Sequence, residues 1–84
     1  MTGFVYVLRS ERNGRYYIGS TNHLIQRYRR HAAGQVRATA RLRPLVVAGW
    51  REYATPTAAR QAEWGLKQKK TRQAVERWLE EGFW

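Results

Sequence analysis

Five residues in this chain are of types that could do chemistry together: the phenols of Tyr6 and Tyr17, the pair Arg27 and His31, and the carboxylate of Glu63. An arginine fork matches phosphate oxygens and an imidazole exchanges protons near neutral pH. A phenol relays or removes a proton once its neighbours lower its pKa from about 10. Carboxylate oxygen is what a hard cation such as Mg²⁺ takes as ligand. The chain has no Asp, and five of its six acids fall in a turn (Glu11), at a strand end (Glu52) or in the last expected helix (Glu76, Glu80, Glu81), which leaves Glu63 as the acid placed for such work. Each residue also has an ordinary explanation. A strand tyrosine is commonly core with a polar tip, Arg27 a solvated charge, His31 a surface or capping residue, and Glu63 a helix-surface partner of Lys67 or Arg60. His23 reads as structural.

The element that must position the phenols is a hairpin. Phe4 to Arg9 and Arg15 to Gly19 read as short apolar strands, joined through Ser10 and the four-residue loop Glu11–Gly14. Such loops are built on a type I turn and can finish at positive φ, which Gly14 accepts. That loop length pairs Ser10 with Arg15, Leu8 with Tyr17 and Tyr6 with Gly19. Side chains alternate along a strand, so Tyr6, Leu8, Tyr17 and Gly19 share one face, with the tyrosines as diagonal neighbours about 7 Å apart. Gly19 leaves bare backbone opposite Tyr6, where a ligand could come close.

Ser20, Thr21 and Asn22 offer N-caps for a first helix, and Gly34 offers its stop. Leu24, Ile25, Tyr28 and Ala32 repeat at helical spacing and form the face expected on the sheet. Arg27 and His31 are four apart on an adjacent stripe and can address one point, whereas Arg29 and Arg30 turn toward solvent. From Gln35 to Arg43 periodicity is lost in a loop bearing Arg37, Arg41 and Arg43, where Thr39 could bond a phosphate. After Pro44, the run Leu45 to Trp50 reads as a third strand continuing toward Tyr53, and Val46-Val47 suggests cover on both faces. Thr55-Pro56 opens a helix with Ala58, Ala59, Ala62 and Leu66 inward and Glu63 on or beside that face. Gly65 either weakens this helix or admits a close neighbour. Lys67, Lys69 and Lys70 make its basic end. A last helix, Thr71 to Glu81, closes at Gly82. The expected fold is therefore α+β, a three-stranded antiparallel sheet flanked by helices in the order β-β-α-β-α-α, as one domain over residues 1–84.

Phe4-Val5-Tyr6, then Tyr17-Ile18-Gly19, then Arg27 and His31, with Glu63 in a later helix, together resemble the GIY-YIG nuclease superfamily, most closely its small single-domain bacterial members. Ser20 follows the second triplet, as in homing-endonuclease relatives. The resemblance implies a metal-dependent endonuclease that hydrolyses DNA phosphodiesters, with Glu63 as the ligand of Mg²⁺ or Mn²⁺. It implies a motif tyrosine as general base: Tyr6 as base or proton relay and Tyr17 as its partner, in roles that can be exchanged. Cationic neighbours such as Arg27, the metal or the partner phenol would lower the phenol's pKa. Arg27 would bind phosphate, and His31 would orient a hydroxyl or water or protonate the leaving group.

Charge agrees with a polyanionic partner. Sixteen Lys and Arg against six acids give a formal net charge of +10 on 84 residues, and 13 of the 16 are arginine. Arg27, Arg37, Thr39, Arg41, Arg43, Lys67, Lys69 and Lys70 are the expected nucleic-acid contacts. Trp50, Tyr53, Trp64 and Trp84 could stack on bases, which favours single-stranded DNA. The absence of cysteine excludes disulfides and thiolate metal sites. With no membrane-length apolar run and no signal pattern, a cytoplasmic protein is expected, its oligomeric state open. Two other readings remain: a noncatalytic nucleic-acid-binding module of the same fold, or an interaction domain using Trp78-Leu79 and Phe83-Trp84.

Overall fold

A computed structural model describes residues 1–69 and 71–81. Its elements are β1 (Gly3–Ser10), β2 (Tyr16–Thr21), α1 (Leu24–Ala32), β3 (Leu45–Tyr53), α2 (Pro56–Lys69) and α3 (Arg72–Glu80), with a 3₁₀ turn at Ala40–Leu42. The order β-β-α-β-α-α and the antiparallel sheet, β2-β1-β3, are as the sequence predicts. Lys70 and the stop at Gly82, like the Phe83-Trp84 contact, lie outside the described residues.

The hairpin has the register its loop length dictates: Tyr6 pairs with Gly19 and Leu8 with Tyr17. Ser10 N–H donates to the Arg15 carbonyl at 2.8 Å, and Gly14 takes φ 77°, a conformation that costs glycine nothing. β1 is the central strand, so its alternation feeds two cores. Val7 packs with Leu66 of α2 and Val75 of α3 on one face, while Tyr6 and Leu8 pack with Leu45, Leu24 and Tyr28 on the other. Helix caps follow local chemistry. Thr55 Oγ1 accepts from Ala58 N–H and Thr71 Oγ1 from Ala74 N–H, and α1 ends before Gly34 at φ 80°.

Four expectations change. Ser20 and Thr21 belong to β2, and α1 starts at Leu24 behind His23, which makes no side-chain cap; Thr21 Oγ1 instead accepts from His23 N–H at 3.1 Å. On α1 the residue that goes fully inside is His31, whereas Ile25 is 69% exposed and Ala32 is also exposed. An apolar stripe placed Ile25 inward, but α1 packs on the sheet through Leu24 and Tyr28, and hydrogen bonding offset the cost of burying the imidazole. β3 is an edge strand with Val47 exposed, not a strand covered on both faces. Gly65 meets open space, so no neighbour requires it.

Candidate active site

Hairpin and helix meet over Tyr6. Its side chain is only 2% exposed, and its hydroxyl lies 2.9 Å from His31 Nε2 and accepts from Arg27 Nε at 3.3 Å. The four-residue separation of Arg27 and His31 along α1 brings both to this one oxygen. Tyr17 completes the cluster: its ring centroid is 6.5 Å from that of Tyr6 and 5.2 Å from that of His31. Gly19 is where Tyr6 itself lies. A Cβ there would overlap the Tyr6 hydroxyl and ring carbon, so the bare backbone receives the tyrosine ring rather than a ligand.

Glu63 approaches from α2, and because β2 is an edge strand, groups from the two faces can meet around it. Its side chain is 19% exposed. Ser20 Oγ donates to Oε1 at 2.5 Å, and the Lys67 ammonium sits 2.7 Å from Oε2. The helix-surface ion pair and the inward placement are thus both present. Beside Ser20 and Arg27 opens a cleft of about 630 Å³, lined also by Asn22, His23, Gln26, Arg30 and Arg60, with no acid in its wall.

Electrostatics set the resting protonation. Burial pushes the Tyr6 hydroxyl above its usual 10.0; the hydrogen bond and charge of Arg27 oppose this without overcoming it, and Tyr17 and Glu63 add to the rise. Of the neighbours expected to lower this phenol, Arg27 does so, but its single charge does not outweigh desolvation. His31 falls from 6.5 to about 4, first through burial and then through Arg27 and Arg30, so it is neutral at pH 7. Arg27 is held still more firmly charged, chiefly by its bond to Tyr6.

Of the expected nucleic-acid contacts, Arg27 lines the cleft and Lys67 stands on Glu63. Thr39 is corrected: it is fully buried, with Oγ1 2.7 Å from His31 Nδ1, so its hydroxyl is out of reach of a phosphate at the surface. Arg37, Arg41 and Lys69 are exposed away from the phenols' contacts. Arg43 folds back over Gly34, its Nε donating to the Ala40 carbonyl at 3.1 Å. Lys70 lies outside the described residues. Sequence reasoning missed Arg30 and Arg60 as cleft residues and Ser20 as the partner of Glu63. Their spacing was a usable signal, since Arg30 stands one helical turn beyond Arg27 and Arg60 one turn before Glu63.

Among the described residues no three His, Cys, Asp or Glu side chains gather as a metal site, and no helix is long and apolar enough to cross a membrane. A single half-buried carboxylate still fits a hard cation that keeps most of its water. Lys67, whose side chain is about half exposed, already brings a positive charge to that carboxylate from outside.

A family model described as the GIY-YIG catalytic domain matches residues 2–76, from β1 into α3. No curated protein and no solved structure matches the chain significantly. A catalytic domain of this kind carries nuclease activity, and with it interaction with nucleic acid and, in general, use of a metal ion. Two strand tyrosines, an Arg-x-x-x-His helix and a glutamate from a later helix are joined here within one matched domain, and the chain belongs to the GIY-YIG nuclease family.

Proposed function

We propose that the protein is a cytoplasmic DNA endonuclease that hydrolyses phosphodiester bonds with Mg²⁺ or Mn²⁺ and favours unpaired strands. The observation that carries this reading is the Tyr6 hydroxyl, held between an acceptor, His31, and a cation, Arg27, which itself lines an arginine-rich cleft. Arg27, Arg30 and Arg60 receive the phosphates. When Arg27 turns to the scissile phosphate, a lone pair on the Tyr6 oxygen becomes free for water. That oxygen takes a proton from the water as its own proton passes to His31 Nε2. Hydroxide oxygen bonds to phosphorus, the P–O bond to the leaving oxygen breaks, and that oxygen is protonated from solvent; His31 later returns its proton. Phosphate bound at Arg27 and Arg30 offsets the charges that depress His31, so the substrate itself raises the basicity the step needs. The chemistry a bound Mg²⁺ or Mn²⁺ supplies, with Glu63 as protein ligand, is polarisation of the phosphate and neutralisation at the leaving oxygen. Tyr17 is the partner phenol at the mouth of the cluster.

An apolar groove supports the preference for unpaired strands. Phe4, Leu24, Ile25 and Trp50 line it, with Trp50 partly exposed and edge-on to Phe4 at 6.0 Å, and it shares His23 and Gln26 with the cleft. A splayed base can stack there while its phosphate lies among the arginines. The test is incubation of labelled single-stranded, duplex and branched DNA with Mg²⁺ or Mn²⁺, with and without chelator. Single strands are expected to be cut fastest, chelator to stop cutting, and Glu63→Ala to abolish it while sparing binding. Normal cleavage by both Glu63→Ala and Tyr6→Phe would overturn the site; binding without cleavage under every condition would make the protein a noncatalytic module.

A further inference from the structure

Thr39 is the most deeply placed hydroxyl near the catalytic phenol, and it touches no part of the cleft. It is fully buried, 2.7 Å from His31 Nδ1, and its Oγ1 also reaches the Val36 carbonyl at 3.5 Å. His31 is equally buried and its other nitrogen faces the Tyr6 hydroxyl. The protons along this line can be assigned by asking where each one goes. The Tyr6 hydroxyl proton is buried and needs an acceptor. Arg27 has only donors. His31 Nε2 is within reach, so in the neutral ring Nε2 carries the lone pair and Nδ1 the proton. Nδ1–H in turn needs an acceptor, and Thr39 Oγ1 provides it, passing its own proton toward Val36. The opposite arrangement would leave the Tyr6 oxygen accepting from both His31 and Arg27 while its own proton has no partner.

We infer that Thr39 is a positioning residue for hydrolysis: its hydroxyl keeps the His31 proton on Nδ1, so that Nε2 stays open to the proton of Tyr6. This rests on the Tyr6–His31 relay proposed above. The other groups facing His31 do not do this job. The rings of Tyr6 and Tyr17 lie against it with centroids at 5.6 and 5.2 Å, and Arg27 and Arg30 act on it through charge. A tautomer is set by the bond its second nitrogen makes, and where such a partner orients a metal-bound histidine its loss typically costs about 10- to 100-fold in function.

The chain has two histidines, so long-range ¹H–¹⁵N spectra of the ¹⁵N-labelled protein at pH 7 resolve His31 from exposed His23. The expected result is Nδ1–H at His31, with Thr39→Val moving the proton wholly or partly to Nε2 and slowing cleavage about 10- to 100-fold, and Thr39→Ser restoring both. An Nε2–H tautomer in the unmodified protein overturns the inference, even if Thr39→Val fails to fold. So does a folded Thr39→Val that keeps the tautomer and the rate. Tyr6→Phe separates the two levels. If it cleaves normally, the relay itself fails; if it is inactive while Thr39→Val is unimpaired, only the role of Thr39 falls.

Discussion

The two faces of the central strand are built from different materials. Toward α2 and α3, β1 presents Val5 and Val7, and the buried centre is Val7, Leu66 and Val75, with Ile18, Ala48 and Leu79 around it. Toward α1 it presents Tyr6, Leu8 and Ser10, and there the three buried polar residues of the described chain collect: Ser10, His31 and Thr39. Each has its partner. Ser10 Oγ donates to the Leu42 carbonyl at 2.6 Å, and His31 is bonded at both nitrogens. Apolar contacts are non-directional, whereas buried polar groups are stable only in particular orientations. One side of the sheet is therefore apolar at its centre, and the other sets an apolar core of Leu8 and Leu45 beside polar groups that must be oriented.

The sharpest way to break this comparison is to truncate one side at a time. Tyr6→Phe should lower the cleavage rate about 10²- to 10⁴-fold while costing only about 1–3 kcal/mol in stability for the acceptor it strands. Leu66→Ala should cost about 2–5 kcal/mol in urea unfolding and leave the rate unchanged at a temperature where the variant is folded. If Leu66→Ala instead cuts the rate as deeply as Tyr6→Phe, the two sides are not separable.

Acid should find the polar side first. The folded-state pKa of His31, about 4, lies below the 6.5 of the free side chain, so between these values the unfolded chain binds the extra proton. Its contribution is complete above about pH 6.5 and is lost as pH falls toward 4, by on the order of 3 kcal/mol. Urea midpoints of the wild type and His31→Gln should diverge across that window; parallel curves would show that the buried imidazole does not couple folding to protons. The smallest effect concerns shape alone. Gly19→Ala places a methyl where the Tyr6 ring lies, and should cost about 1–3 kcal/mol with a loss of activity from the displaced hydroxyl, measured by unfolding and cleavage on the same sample.

How much of this was legible depended on how far apart the interacting residues lie. The hairpin register followed from one loop length and one glycine, and it correctly put Tyr6 and Tyr17 on one face. Thr55 and Thr71 announced their helices because a cap acts within one turn. The pairing of Arg27 with His31 was visible as a spacing, although its target, the Tyr6 oxygen, was not. Thr39 was misread as a surface hydroxyl because a loop without periodicity says nothing about which side faces inward. Ile25 was misread because hydrophobicity ranks side chains one by one, while α1 was placed by where a histidine could be satisfied.

By itself the sequence determined the elements, their order, the face that Tyr6, Leu8, Tyr17 and Gly19 share in the hairpin and the family motif, since all of these arise from bonds and steric rules acting over a few residues. Tertiary structure alone decided that β3 is an edge, that the Tyr6 ring occupies the space left by Gly19, that Ser20 meets Glu63, and that Thr39 lies beneath His31. Those contacts join distant parts of the chain, and the need to satisfy every buried polar group selects among arrangements that local preference leaves equal.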